Sequence, residues 1–196
     1  YPAGDDRKWG LKVGGNPHSA ELLPNGNIAV AASTGGWVRV YASSQGPDAA
    51  DYAEYKFPGA HGVHWDPEAS LLWALGDDHL VALKVGGTDR SPELEEVRKI
   101  ALPTRHGHDL QPVYGDRDRL WVSTGIEVYQ FVKSTGTFDM SYSGNESIRR
   151  SSVKSVGNLP NGKVVSTVPD YTKGKVGGCG RNTWCTETVD FLPGTE

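Results

Sequence analysis

Three of the six histidines in this 196-residue chain recur at a near-constant interval: His18, His61 and His108 stand 43 and 47 residues apart. Three positions beyond each lies a further polar group, Glu21, His64 and Gln111, and Lys154 falls close to the corresponding place one period later. Imidazole titrates near neutrality and ligates metals, so a convergence of His with Glu and Gln has the chemistry of a general base or of a metal site. His106-Gly107-His108 supplies another imidazole two residues from the third copy, whereas a purely structural repeat needs one His per copy. The alternative reading is that each recurrent His hydrogen-bonds the backbone of its neighbour and is structural.

Such residues act together only if the fold brings equivalent positions together. The tetrapeptide Leu23-Pro24-Asn25-Gly26 returns 136 residues later as Leu159-Pro160-Asn161-Gly162, three periods of about 45. Related turns lie between them at Trp65-Asp66-Pro67-Glu68 and Tyr114-Gly115-Asp116-Arg117. Each repeat reads as four short strands joined by turns, which is the signature of a β-propeller blade whose innermost strand lines a central channel. The expected fold is all-β, a β-propeller with about four four-stranded blades, spanning residues 16–58, 59–104, 105–144 and 150–196. Residues 94–102 are charged enough to read as a strand or a short helix, and the fourth blade ends after three strands, the last at Thr186–Leu192. A strand at Trp9–Val13 is expected to belong to a neighbouring blade or to close a four-bladed ring; the rival is the C-terminal part of a six- or seven-bladed propeller. The histidines would then meet at one mouth of the channel.

Composition agrees. The 25 Gly and 12 Pro approach a fifth of the chain against an ordinary eighth, which limits helix length and suits many turns. With a net charge of −4 and Arg149-Arg150 as the densest basic cluster, no nucleic-acid partner is expected. Apolar runs such as Ile28–Ala32 and Leu71–Leu75 fall far short of the roughly 20 residues of a transmembrane helix, so no membrane is expected either. The start at Tyr1 reads as a mature or trimmed product. Cys179 and Cys185, six apart in a Gly-rich loop, have the spacing and flexibility for a disulfide, hence for export to an oxidising compartment; two free thiols in a cytosolic loop is the other reading. Trp184, within that loop, suits stacking on a sugar, while Arg150 and Lys154 would bring positive charge towards the histidines.

The segments Asn16-Pro17-His18-Ser19-Ala20-Glu21-Leu22-Leu23-Pro24-Asn25-Gly26-Asn27, Ala60-His61-Gly62-Val63-His64-Trp65-Asp66-Pro67, Gly107-His108-Asp109-Leu110-Gln111-Pro112 and Asn182-Thr183-Trp184-Cys185-Thr186 resemble exported bacterial β-propeller proteins of a family without an assigned function. The resemblance covers nearly the whole chain. Members of that family are longer at the N-terminus, which implies further blades before Tyr1, on the same or a separate chain; a homo-oligomer is the other partner expected. A looser similarity links the chain to propeller polysaccharide lyases, among which the oligogalacturonate lyase type holds a divalent metal with several His and a Gln. It implies a divalent ion (Ca, Mn or Zn) on His106, His108 and Gln111, with His61 or His64 added.

The function these readings imply is that of a secreted glycan-active propeller, a uronate-polysaccharide lyase or a glycosidase with a carbohydrate ligand. His61 and His108 would act as base or metal ligand, Lys154 or Arg150 as the neutralising cation, and Tyr114 as the acid. His18, Glu21, Arg150 and Trp184 would bind substrate. The alternative is a non-catalytic module that binds carbohydrate or protein, its histidines structural.

Overall fold

The computed structural model describes residues 7–173 and 184–193. Its strands form four antiparallel sheets, each a meander in chain order. Blade 1 comprises β1 (Pro17–Leu22), β2 (Ile28–Ala32), β3 (Trp37–Tyr41) and β4 (Tyr52–Lys56). Blade 2 comprises β5 (Gly62–Asp66), β6 (Leu71–Leu75), β7 (His79–Gly87) and β8 (Pro92–Ala101). Blade 3 has β9 (Asp109–Val113), β10 (Asp116–Ser123), β11 (Val128–Val132) and β12 (Thr137–Asp139). Blade 4 has, among the described residues, β13 (Ser155–Asn158), β14 (Val164–Thr167) and β15 (Asp190–Leu192). These are β-propeller blades, as the 45-residue period predicts. Among the described residues no helix is long and apolar enough to cross a membrane.

The chain divides into two compact units, Tyr1–Gly76 with Leu80–Lys99, and Asp77–His79 with Ile100–Glu196. In the first unit the middle strands are apolar almost throughout, Ile28-Ala-Val-Ala-Ala and Leu71-Leu-Trp-Ala-Leu, because both faces of a blade are covered. Leu23, Ala29, Ala31, Val38 and Val40 of blade 1 pack with Val63, Leu72, Ala74, Val81 and Leu83 of blade 2. The opposite face of blade 1, with Val30, Ala32, Trp37 and Tyr41, is covered by Trp9 and Val13. The second unit repeats the scheme, Val113, Trp121 and Val128 packing against Val153, Val156, Val164 and Val168.

The recurring tetrapeptide is a recurring turn. Leu23 N–H donates to Asn27 O at 2.8 Å and Gly26 N–H to Leu23 O at 2.9 Å; Leu159 to Lys163 O and Gly162 to Leu159 O repeat these bonds at 2.8 and 2.9 Å. Pro presets the first corner, and Gly26 and Gly162 take φ of 85° and 79°, a left-handed conformation that favours glycine.

Two expectations need revision and one alternative is decided. Trp9–Val13 is not a strand: Trp9 packs on blade 1, its Nε1–H donating to Ala49 O at 2.8 Å and its ring 5.4 Å from that of Tyr41, tilted by 43°. The ambiguous stretch at 94–102 is strand β8, whose exposed Glu93, Glu95, Glu96, Arg98 and Lys99 supply the charge that discourages edge pairing. The third strand of blade 4, expected from Thr186, starts at Asp190 because the preceding residues fold around a carboxylate. Thr186 Oγ1–H and Glu187 N–H both donate to buried Asp170, at 2.6 and 3.1 Å.

Candidate functional site

Inner strands bring the repeated polar residues side by side, and much of their hydrogen bonding joins one blade to the next. In the first unit Val63 N–H donates to Ser19 Oγ and Trp65 N–H to Glu21 Oε1, both at 3.3 Å. Desolvation raises the Glu21 carboxyl above its ordinary value, against the lowering effect of the Trp65 bond. His64 Nδ1 stands 3.9 Å from Glu21 Oε1, an ion-pair distance when the imidazole is protonated.

At the start of the same strands two imidazoles meet. The His18 and His61 ring centroids are 4.2 Å apart with planes tilted by 38°. A register shift between Pro17 and Ser19 puts His18 in a bulge of β1, with its side chain exposed. His61 precedes β5, where its N–H donates to Leu75 O at 2.8 Å. A carbonyl only accepts, so Nδ1–H of His61 is the donor in its 2.7 Å contact with Gly59 O. The Asn16 amide nitrogen lies 3.0 Å from His18 Nε2 and 3.1 Å from Ser33 Oγ. With the amide as donor, His18 Nε2 accepts and its proton sits on Nδ1. The two rings thus lie in one stack, His61 donating from Nδ1 to a backbone carbonyl and His18 accepting at Nε2 from Asn16. Glu21 and His64 lie three residues further along, about 10 Å away at strand rise.

In the second unit His108 and Lys154 hold equivalent positions. Each precedes an inner strand and donates its N–H at 2.8 Å to the last residue of the second strand or its equivalent, Ser123 O and Thr167 O. Desolvation lowers the pKa of the Lys154 ammonium. Between His108 and Gln111 stands Asp109, which the repeat pattern passes over. Its Oδ2 accepts Val156 N–H at 2.8 Å, its Oδ1 lies 3.2 Å from Gln111 Nε2, and its own N–H donates to Ser123 Oγ at 3.0 Å. Burial raises the Asp109 carboxyl, partly offset by the hydrogen bonds from Val156 and Gln111. Asp109 is to blades 3 and 4 what Glu21 and Ser19 are to blades 1 and 2.

Other expected site residues are engaged elsewhere. His106 has φ of 66° and its Nδ1 is 2.7 Å from Asp77 Oδ1, beside Arg105, whose guanidinium holds Asp78 at 2.6 Å and depresses its pKa. Arg150 Nη1 donates to Asp190 Oδ2 at 2.9 Å, towards the third strand of its blade. Tyr114 follows the far end of β9, six residues from His108, which at strand rise is about 20 Å. His108 and Tyr114 therefore cannot serve as base and acid at one bond. His64 belongs to the first unit and His106, His108 and Gln111 to the second. Among the described residues no group of three or more His, Cys, Asp or Glu side chains is disposed to hold a metal ion. Trp184 is 73% exposed. Cys185 O accepts Asp170 N–H at 3.0 Å, while Cys179 lies outside the described residues.

Solved structures support the fold. The chain superposes on virginiamycin B lyase from Staphylococcus aureus with a TM-score of 0.55 and 10% identity, over 78% of this chain and 49% of that one. It superposes on the Carbohydrate-Active Enzymes Family AA12 protein of Trichoderma reesei with a TM-score of 0.54 and 17% identity, over 78% and 45%. A Lactobacillus plantarum protein gives 0.58 and 15%, over 91% and 55%. At these identities the likeness is one of fold, and the chain spans about half the length of these proteins. No curated protein matches the chain in sequence. The family described as "Family of unknown function (DUF6528)" matches residues 7–183, nearly the whole chain, and the protein belongs to that family.

Proposed function

We propose that this chain is the working part of an exported, glycan-active propeller that cleaves an acidic polysaccharide by β-elimination, with His18 and His61 as its acid–base pair. The observation that carries this reading is the stack of two imidazoles at the start of the inner strands, their centroids 4.2 Å apart, with His61 Nδ1 held by Gly59 O and His18 Nε2 by the Asn16 amide. His61 Nε2 takes the proton α to a uronate carboxylate. The electron pair of that C–H bond becomes a carbon–carbon double bond as the bond to the leaving glycosidic oxygen breaks; the His18 Nδ1–H protonates that oxygen, and the proton taken up by His61 passes through solvent to His18, so that both rings end as they began. Positioned proton transfer of this kind is worth roughly 10²–10⁴-fold in rate. Among proteins of similar fold, one is named a lyase and another a carbohydrate-active enzyme, which agrees with the choice of chemistry.

The experiment is incubation of the purified protein with polygalacturonate and other uronate polysaccharides, following the ultraviolet absorbance of the unsaturated product. Growth of that absorbance is expected; its absence on every uronate polymer, with the protein folded, overturns the proposal. A second reading, a binding module without turnover, draws on the use of Glu21, Ser19 and Asp109 as links between blades. It predicts saturable glycan binding with no product. Metal analysis of the same material tests separately for the divalent ion that the lyase resemblance implies.

A further inference from the structure

Among the described residues, the turn shared by blades 1 and 4 is capped in blade 1 and open in blade 4. In blade 1 the Asn25 amide donates to Asp89 Oδ1 at 2.8 Å and the Asn27 amide to Asp89 O at 2.9 Å. A carboxylate from the loop between β7 and β8 therefore sits on the turn, and Leu23 is only 4% exposed. In blade 4 the same tetrapeptide, with the same backbone bonds, borders a cavity of about 760 Å³ and leaves Leu159 38% exposed.

The side chains around this cavity match the capped turn closely enough to say what would fill it. Asn161 Oδ1 accepts Lys163 N–H at 3.2 Å as Asn25 Oδ1 accepts Asn27 N–H at 3.1 Å, so the Asn161 amide nitrogen, like that of Asn25, is turned away from the turn. Lys163 stands where Asn27 stands, an ammonium in place of an amide. Tyr114, 59% exposed, forms another wall. Its backbone is clamped by Asn158, whose Oδ1 accepts Tyr114 N–H at 2.8 Å and Trp121 Nε1–H at 3.0 Å and whose Nδ2 donates to Tyr114 O at 2.9 Å. The phenol is thus presented on a fixed support, and the cavity has the size of a small-ligand site.

We propose that this cavity binds a uronate residue of an acidic polysaccharide. The ligand carboxylate takes the place that Asp89 holds in blade 1, hydrogen-bonded by Asn161 Nδ2 and the Lys163 ammonium, and the apolar face of the pyranose lies against Tyr114. The site lies at the far end of β9 from His108 and does not depend on the imidazole chemistry.

Isothermal titration with trigalacturonate and with its methyl ester, which keeps the rings and removes the charges, tests this directly. Wild type should bind the acid and should bind the ester at least about tenfold more weakly. Lys163→Met, Asn161→Ala and Tyr114→Leu should each weaken binding of the acid by roughly 10–100-fold, the range of a charge-assisted hydrogen bond. His61→Ala should leave the affinity unchanged, so failure of turnover and failure of this site are read separately. The three cavity side chains face solvent, and thermal melts verify that the variants fold. Equal affinity for acid and ester, wild-type binding by Lys163→Met, or no binding of trigalacturonate overturns the site. Equal competition by short polyglutamate overturns its assignment to a sugar.

Discussion

Replacing Asp109 is expected to loosen blade 3 from blade 4 without touching either hydrophobic core. Its Oδ2 is the 2.8 Å acceptor of the N–H of buried Val156. Asp109→Ala leaves that N–H without its acceptor in an interior position, which costs about 1–3 kcal/mol. At roughly 2–4 °C per kcal/mol for a chain of this length, a 2 kcal/mol loss lowers the melting temperature by about 4–8 °C. Asp109→Asn keeps an acceptor oxygen and removes the charge. Desolvation raises the native Asp109 pKa above the ordinary 3.8. The native state then holds this proton more tightly than the unfolded state, so the contribution of Asp109 is largest at acid pH, falls as pH rises from 3.8 to the raised native value, and is constant above it. The Asn variant should therefore match wild type at acid pH and equal or exceed it at pH 7. Melting curves by circular dichroism across pH, with Glu21→Ala as comparison, provide the assay. Trp65 N–H lies 3.3 Å from a partly exposed Glu21, so that variant should lose at most about 1 kcal/mol. Unchanged melting in Asp109→Ala, or an Asn variant as weak as the Ala variant, refutes the reasoning.

Other expectations follow from single groups. Gly162→Ala forces a side chain onto a φ of 79° and should destabilise by about 1–2 kcal/mol in denaturant titration, whereas Gly26→Ala should lose more because its added Cβ also meets Ser44 Cβ at 3.3 Å. Lys154 has a depressed native pKa, so the unfolded state binds its proton more tightly. Stability attributable to Lys154 should rise as pH climbs from the native value towards 10.5, and the gap between wild type and Lys154→Met should shift in favour of wild type over that range. Trp9→Ala should lower stability by roughly 2 kcal/mol through loss of its cover over Trp37 and Tyr41, which a strand donated to another blade would not predict.

The blades were legible because each demands the same local chemistry. Pro and Gly sit at fixed corners of the Leu-Pro-Asn-Gly turn, and apolar runs fill strands buried on both faces. Trp9–Val13 misleads because an isolated apolar alternation does not say what it packs on, and here the contact is a blade face rather than a sheet edge. The charged residues of β8 read equally as a helix, since solvent-facing edge strands and helices both carry such charge. In the candidate site, the spacing of His18 and His61 carried over into a contact between rings. His108 and Tyr114 are close in sequence, but six residues of extended chain separate them by most of a strand. Asp109 was passed over because its role depends on Val156, 47 residues away, which no local pattern reveals. A longer separation, the 64 residues from Asn25 to Asp89, hides the difference between the capped turn at Asn25 and the one at Asn161, open among the described residues.

The central claim, that His61 and His18 form an acid–base pair acting on a uronate polysaccharide, is tested most directly by product absorbance from wild type, His61→Ala and His18→Ala at equal concentration and matched folding. Wild type should form product, and each variant should lose roughly 10²–10⁴-fold in rate with little change in trigalacturonate affinity. Product formed by His61→Ala at the wild-type rate would contradict it.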